Sequence, residues 1–77
     1  MLMHHVTMTD FAASRQEVSS IILPVGSLEE HGSHLPLGLD AMHAEALARA
    51  TAELHPCWVA PTVFYGLCRS SAQHDGT

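Results

Sequence analysis

Between two short apolar runs, at residues 21–25 and 57–60, apolar side chains recur three or four positions apart: Leu39, Met42, Ala46, Leu47, Ala50 and Leu54. That spacing predicts an amphipathic helix over 40–54. Asp40 suits its N-cap, His43 follows at N3, and Pro56 stands just past the end, where a helix must stop. Glu45 and Arg49 are in the i,i+4 order that favours an ion pair. The flanking runs, 20–25 and 57–60, read as strands. The first is continuously apolar rather than alternating, which predicts a strand buried on both faces of a parallel sheet. Strand, helix, strand makes one right-handed βαβ unit and places the chain in the α/β class. A lone βαβ unit leaves strand edges and a helix face uncovered. The 77 residues are therefore expected to form a single partial domain, 1–77, of a larger fold.

The rest of the chain says less about structure and more about what can be excluded. Thr9 or Asp10 is expected to cap a short helix running to about Val18, with Phe11 and Val18 on one face. Three arginines and no lysine stand against eight acidic residues, a net charge of −5 that offers no footprint for nucleic acid or an anionic membrane. No apolar run approaches the ~20 residues of a membrane span. No secretory leader is visible, so a cytoplasmic location with reduced thiols is the expectation. Two cysteines, Cys57 and Cys68, exclude a disulfide-dense scaffold and read as core thiols. Seven histidines against three strong cations direct attention to metal or acid/base chemistry.

That chemistry is concentrated in residues 26–39, a loop too long for an ordinary connection. It carries Glu29, Glu30, His31 and His34. Glu29 and His31 are two apart, so an extended backbone points both to one side. Asp40, nine residues beyond His31 at the start of the helix, projects back over the loop leaving the first strand. In open α/β sheets this crevice, beyond the carboxyl ends of the strands, is where ligands bind. One imidazole and two carboxylates suit Zn²⁺, Mn²⁺ or Fe²⁺, and a carboxylate can bridge two ions ~3.5–4 Å apart. The plain alternative is a solvated loop whose Asp40 only caps a helix. Gly26 and Gly32 do not form a spaced nucleotide-binding fingerprint.

The stretch Leu23-Pro24-Val25-Gly26-Ser27-Leu28-Glu29-Glu30-His31-Gly32-Ser33-His34-Leu35-Pro36-Leu37-Gly38-Leu39-Asp40 resembles the signature of the creatininase (creatinine amidohydrolase) family. The family pattern is close to Leu-Pro-x-Gly-Ser-x-Glu-x-His-Gly-x-His-Leu-Pro with an Asp four residues later. A weaker similarity follows at Tyr65-Gly66-Leu67-Cys68-Arg69-Ser70 and Gly76-Thr77. The resemblance implies a three-layer α/β/α fold, of which this chain is the N-terminal part. It implies a binuclear metal-dependent amidohydrolase in which Glu29 and His31 each hold one divalent ion (Zn, Mn or Fe) and Asp40 bridges the two. His34 would stand beside the site, orienting a carboxylate. A metal-activated water would attack the C–N bond of an amide or cyclic amide, and a small-molecule amide is the expected substrate. The full-length family implies a homo-oligomer.

Departures from the pattern are Ser33 for a proline, Leu39 for a threonine, and His74-Asp75 for an aromatic-proline pair. The family's remaining ligands come from a later His-containing segment not present in these residues. The fragment alone is thus expected to lack activity and to offer no catalytic residue of its own beyond the three ligands. The reading from a different class is a small non-catalytic α/β module that binds a partner or self-associates. Trp58 is expected in the core, Glu30 in solvent, His43 on an open helix face, His55 at the helix C-terminus and His74 in a loop.

Overall fold

The computed structural model describes residues 1–69 and 71–76. A 3-10 turn at Met3–His5 leads into helix α1 (Met8–Ser14), strand β1 (Ile21–Ile22), helix α2 (Leu39–Leu54) and strand β2 (Trp58–Val59). The two strands pair in parallel, Ile21 opposite Trp58 and Ile22 opposite Val59, with α2 as the crossover between them. The βαβ order expected from the pattern is present.

The boundaries differ from the sequence expectations for local reasons. Helix α1 is capped by Thr7, not Thr9 or Asp10: the Thr7 hydroxyl accepts from the Asp10 N–H at 3.1 Å, and Asp10 sits in the first turn. The helix ends at Ser14, whose hydroxyl donates back to the Asp10 carbonyl at 3.0 Å. One further turn, closed by the Val18 N–H on the Ser14 carbonyl at 2.9 Å, carries the chain to Val18. Helix α2 starts one residue early, with Gly38 at the N-cap. Asp40 therefore lies in the first turn rather than at the cap, and its carboxylate is left for other partners. Glu45 and Arg49 make no ion pair within 4 Å among the described residues.

β1 is shorter than the 20–25 run because Pro24 has no N–H to donate and interrupts the ladder. Pairing resumes past it as a Val25–Val63 bridge, with Gly26 N–H on the Val63 carbonyl at 2.9 Å and Val63 N–H on the Pro24 carbonyl at 3.0 Å. β2 is the inner strand, because Leu2 bridges its other side at Val59. That corrects the expectation for β1: only one of its faces is covered, and Ile21, Leu23 and Val25 on the other are more than half exposed, whereas Trp58 and Val59 are 1% exposed.

The core is thin. Val18, Ala41, Ala48, Cys57, Trp58 and Val59 are its buried apolar residues. α2 buries Ala41 and Ala48, not the Met42–Leu47–Leu54 face that its periodicity suggested; those three are 52%, 59% and 90% exposed. Small side chains let the helix lie close on β2. The radius of gyration is 15.3 Å, against about 11.5 Å for a compact domain of this length. Extents of 47 × 22 × 17 Å show why: the elements form a strip. This is the shape of an incomplete α/β fold. No helix among the described residues is long and apolar enough to cross a membrane.

Two contacts hold the strip together. The Trp58 ring packs on Phe11 with centroids 5.0 Å apart, tying α1 to the sheet. Its indole N–H is buried without a hydrogen-bond partner among the described residues, a cost of about 1–3 kcal/mol. Gly26 sits directly on the first turn of α2, where a Cβ would come within 2.5 Å of the Ala41 Cα and the Asp40 carbonyl carbon. Only the absence of a side chain permits that approach.

Two thermal-unfolding predictions follow from these contacts. Trp58→Ala should cost about 3–5 kcal/mol. Trp58→Phe should cost less than half of that, because it removes the unpartnered N–H with the ring's edge. Gly26→Ala should cost about 1–3 kcal/mol, seen as a Tm drop of about 4–8 °C per kcal/mol. A Gly26→Ala chain melting at the parental temperature would mean that the approach of loop to helix is not tight.

Candidate metal centre

The loop after β1 leaves the sheet at Gly26, turns back on itself through the Glu29 N–H bond to the Leu37 carbonyl (3.1 Å), and enters α2 at Gly38. The close approach at Gly26 brings the beginning and end of this loop together. As a result Glu29, His31 and Asp40, spread over twelve positions, each offer one ligand atom within 4.8 Å of the other two. All three are half-buried. The side chains of His31 and Asp40 are 20% and 42% exposed.

The imidazole of His31 is fixed from one side. Its Nδ1 lies 3.0 Å from the backbone carbonyl of Glu29, which can only accept, so Nδ1 carries a hydrogen. In the neutral ring Nε2 is then a bare lone pair, and it faces Asp40 Oδ1 at 3.2 Å. Two acceptors at that distance need a positive charge between them, either a proton on Nε2 or a cation. Without a cation the proton takes that place. The Glu29 carbonyl, and then Asp40, raise the His31 pKa above its ordinary 6.5 against the opposing pull of burial.

Glu29 is held from three directions. Its Oε2 accepts from the Cys68 thiol and from the Ser71 hydroxyl, each at 2.9 Å, and its Oε1 from the Ser27 hydroxyl at 3.1 Å. The Cys68 thiol, then Ser71, Ser27 and the Asp40 carboxyl, lower the Glu29 pKa from 4.5 to about 2. The carboxylate is thus charged across the working range. Ser27 Oγ also lies 3.3 Å from Asp40 Oδ2, so one hydroxyl stands between the two acids.

A hard-to-borderline cation fits this donor set: one imidazole nitrogen with its other nitrogen committed to a carbonyl, and two carboxyl groups. The carbonyl contact is the outer-shell bond that a metal-bound histidine ordinarily makes.

Several sequence expectations change here. Cys68 is not a core thiol; it is partly exposed and bonded to Glu29, whereas Cys57 is buried as expected. Ser71, which the sequence did not single out, is buried at the same carboxylate. His34 is exposed, its ring near Gly32, and does not belong to the converging group. Glu30 accepts from the Gly32 N–H at 2.9 Å. His43 is exposed and His55 is the C-cap of α2, as expected. The second similarity runs into Ser70 and Thr77, which lie outside the described residues.

Comparison with known proteins agrees with this geometry. The profile of the creatininase family, described as creatinine amidohydrolase, matches residues 4–77. The mycofactocin precursor peptide peptidase of Mycobacterium tuberculosis (strain ATCC 25618 / H37Rv) is 43% identical over 68 residues, covering 75% of this chain and 27% of that protein. The same peptidase of Mycobacterium ulcerans (strain Agy99) is 39% identical over 67 residues, covering 75% and 27%. The 3-dehydro-scyllo-inosose hydrolase of Thermotoga maritima is 34% identical over 61 residues, covering 79% of this chain and 20% of that protein. The chain spans about a quarter of the length of the curated relatives it matches. With a match over nearly its whole length, the chain belongs to the creatininase family, a family of hydrolases.

Proposed function

We propose that residues 1–77 form part of a creatininase-family metal-dependent hydrolase domain, and that Glu29, His31 and Asp40 are metal ligands in it. The observation that carries this reading is the face-to-face placement of His31 Nε2 and Asp40 Oδ1 at 3.2 Å, with Nδ1 already committed to a carbonyl. One ligand atom from each of the three residues lies within 4.8 Å of the other two.

Each residue then has a definite task. His31 contributes Nε2, with its ring angle set by the Glu29 carbonyl. Glu29 contributes a carboxylate that stays ionised because thiol and hydroxyl donors stabilise its charge. Asp40 has two oxygens on different neighbours, Oδ1 towards His31 and Oδ2 towards Ser27, an arrangement suited to bridging two ions. Divalent cations bound here would supply acidified water and polarisation of a carbonyl oxygen. The substrate class that fits is an amide or cyclic-amide C–N bond, with peptides included by the named peptidase relatives. The further ligands and the substrate-facing surface would come from family segments beyond those compared here, so the 77 residues alone are expected to bind a cation and not to turn over substrate. The family's homo-oligomer and a cytoplasmic setting are part of the same proposal.

A non-catalytic module that binds a partner or self-associates is the competing reading, favoured by the exposed β1 edge. Titration calorimetry with Zn²⁺ and Mn²⁺ separates the two. Binding should be lost in His31→Ala and Asp40→Ala and fall at least tenfold in Glu29→Gln. Heat signals unchanged in all three variants would sink the metal reading.

Metal affinity should also depend on pH with a defined sign. A cation displaces the proton from His31 Nε2, so affinity should rise about tenfold per pH unit until the raised His31 pKa is passed and then level off. Stability of the metal-free chain runs the other way at this residue. The His31 contribution is fully present below about 6.5 and is lost as pH rises through the raised value. The Glu29 contribution is present above 4.5 and is lost as pH falls towards about 2. Calorimetric titrations in buffers of differing ionisation enthalpy would count the released proton.

A further inference from the structure

We propose that Cys68 and Ser71 are positioning residues that clamp Oε2 of Glu29 and thereby force Glu29 to meet a cation through Oε1 alone; this rests on the reading of Glu29, His31 and Asp40 as a cation site. A carboxylate oxygen presents two lone pairs. On Oε2 both are taken, one by the Cys68 thiol and one by the Ser71 hydroxyl, each at 2.9 Å. The two donors are themselves in contact at 3.1 Å, so they approach the oxygen side by side. Among the described residues Oε1 receives only the Ser27 hydroxyl, at 3.1 Å, and that one hydrogen is shared with Asp40 Oδ2 at 3.3 Å. Oε1 therefore keeps a lone pair on the side of Asp40, while Oε2 has none to give.

The placement of the clamp matters as much as its chemistry. Cys68 and Ser71 come after the Val25–Val63 bridge in the chain, whereas Glu29 lies on the loop that follows Val25. The clamp spans 39 and 42 residues of sequence and joins the tail to the Glu29 loop. Ser71 is a buried polar residue, 9% exposed, and its hydroxyl has no role at the sheet. A carboxylate on a polar loop would swing between mono- and bidentate poses. Two donors on one oxygen remove that freedom, and loss of such outer-shell partners ordinarily costs 10–100-fold in metal affinity.

The test uses the 77-residue chain with Zn²⁺ for affinity and Co²⁺ for spectroscopy. Ser71→Ala and Cys68→Ala should each weaken Zn²⁺ binding about tenfold or more, while Cys68→Ser, which keeps a donor, should stay within about threefold of the parent. Co²⁺ bound to the parent should show no thiolate-to-metal charge-transfer band, because the thiol touches Glu29 and not the ion. Circular dichroism checks folding; should Cys68→Ala not fold, Ser71→Ala and Cys68→Ser carry the comparison. Affinities of the alanine variants within twofold of the parent would overturn the clamp. A charge-transfer band would overturn it too, by making Cys68 a direct ligand. A parent chain that binds neither ion would instead overturn the cation site itself, and the clamp with it.

Discussion

The hydrogen bond from His31 Nδ1 to the backbone carbonyl of Glu29 decides what the rest of the site can be. A carbonyl has no hydrogen to give, so the tautomer is settled by the main chain rather than by any titrating neighbour. Once it is settled, Nε2 and Asp40 Oδ1 face each other at 3.2 Å, a gap that a proton on Nε2 or a cation can bridge. Glu29 thus contributes twice, with its main chain to the histidine and with its side chain to the same small volume. A Glu-x-His spacing in extended backbone makes both contributions available from three consecutive residues.

The sheet and helix hold this arrangement through backbone proximity more than through a large core. Gly26 against the first turn of α2 fixes where Asp40 begins its side chain. Ala41, fully buried beside it, lets the helix sit that low. β2 lies between β1 and the Leu2 bridge, and its Trp58 and Val59 are buried. The metal centre lies at the carboxyl end of β1, where a parallel sheet leaves its crevice open.

How far the sequence discloses this depends on the range of the interaction. Helix α2 was readable from periodicity and from Pro56, and the βαβ order from two apolar runs, because these are local signals. The candidate trio was readable because Glu29, His31 and Asp40 lie within twelve positions of a stretch that resembles a family signature, and the structure brings the three together. The buried face of α2 was misread, since alanines have little weight in an apolar pattern yet pack closest. Caps at Thr7 and Gly38 were missed by one to three residues, where several small polar or flexible residues compete for the same place. Cys68 and Ser71 had no local signal at all: a thiol and a hydroxyl in a turn-like tail become meaningful only once the chain brings them to a carboxylate 39 and 42 residues earlier. The tail's departure from the family pattern pointed attention away from them.

The span between Glu29 and Ser71 also has a kinetic meaning. Closing a loop of that length carries an entropic penalty before any contact rewards it, and contacts of high sequence separation are late events in folding. The loop and the start of α2 can come together early, from neighbouring residues. The last donors reach Glu29 only after the second half of the chain has crossed and aligned beside the first. During synthesis the acidic loop therefore emerges before its restraint does, and for that interval the Glu29 carboxylate lacks the two donors that hold Oε2.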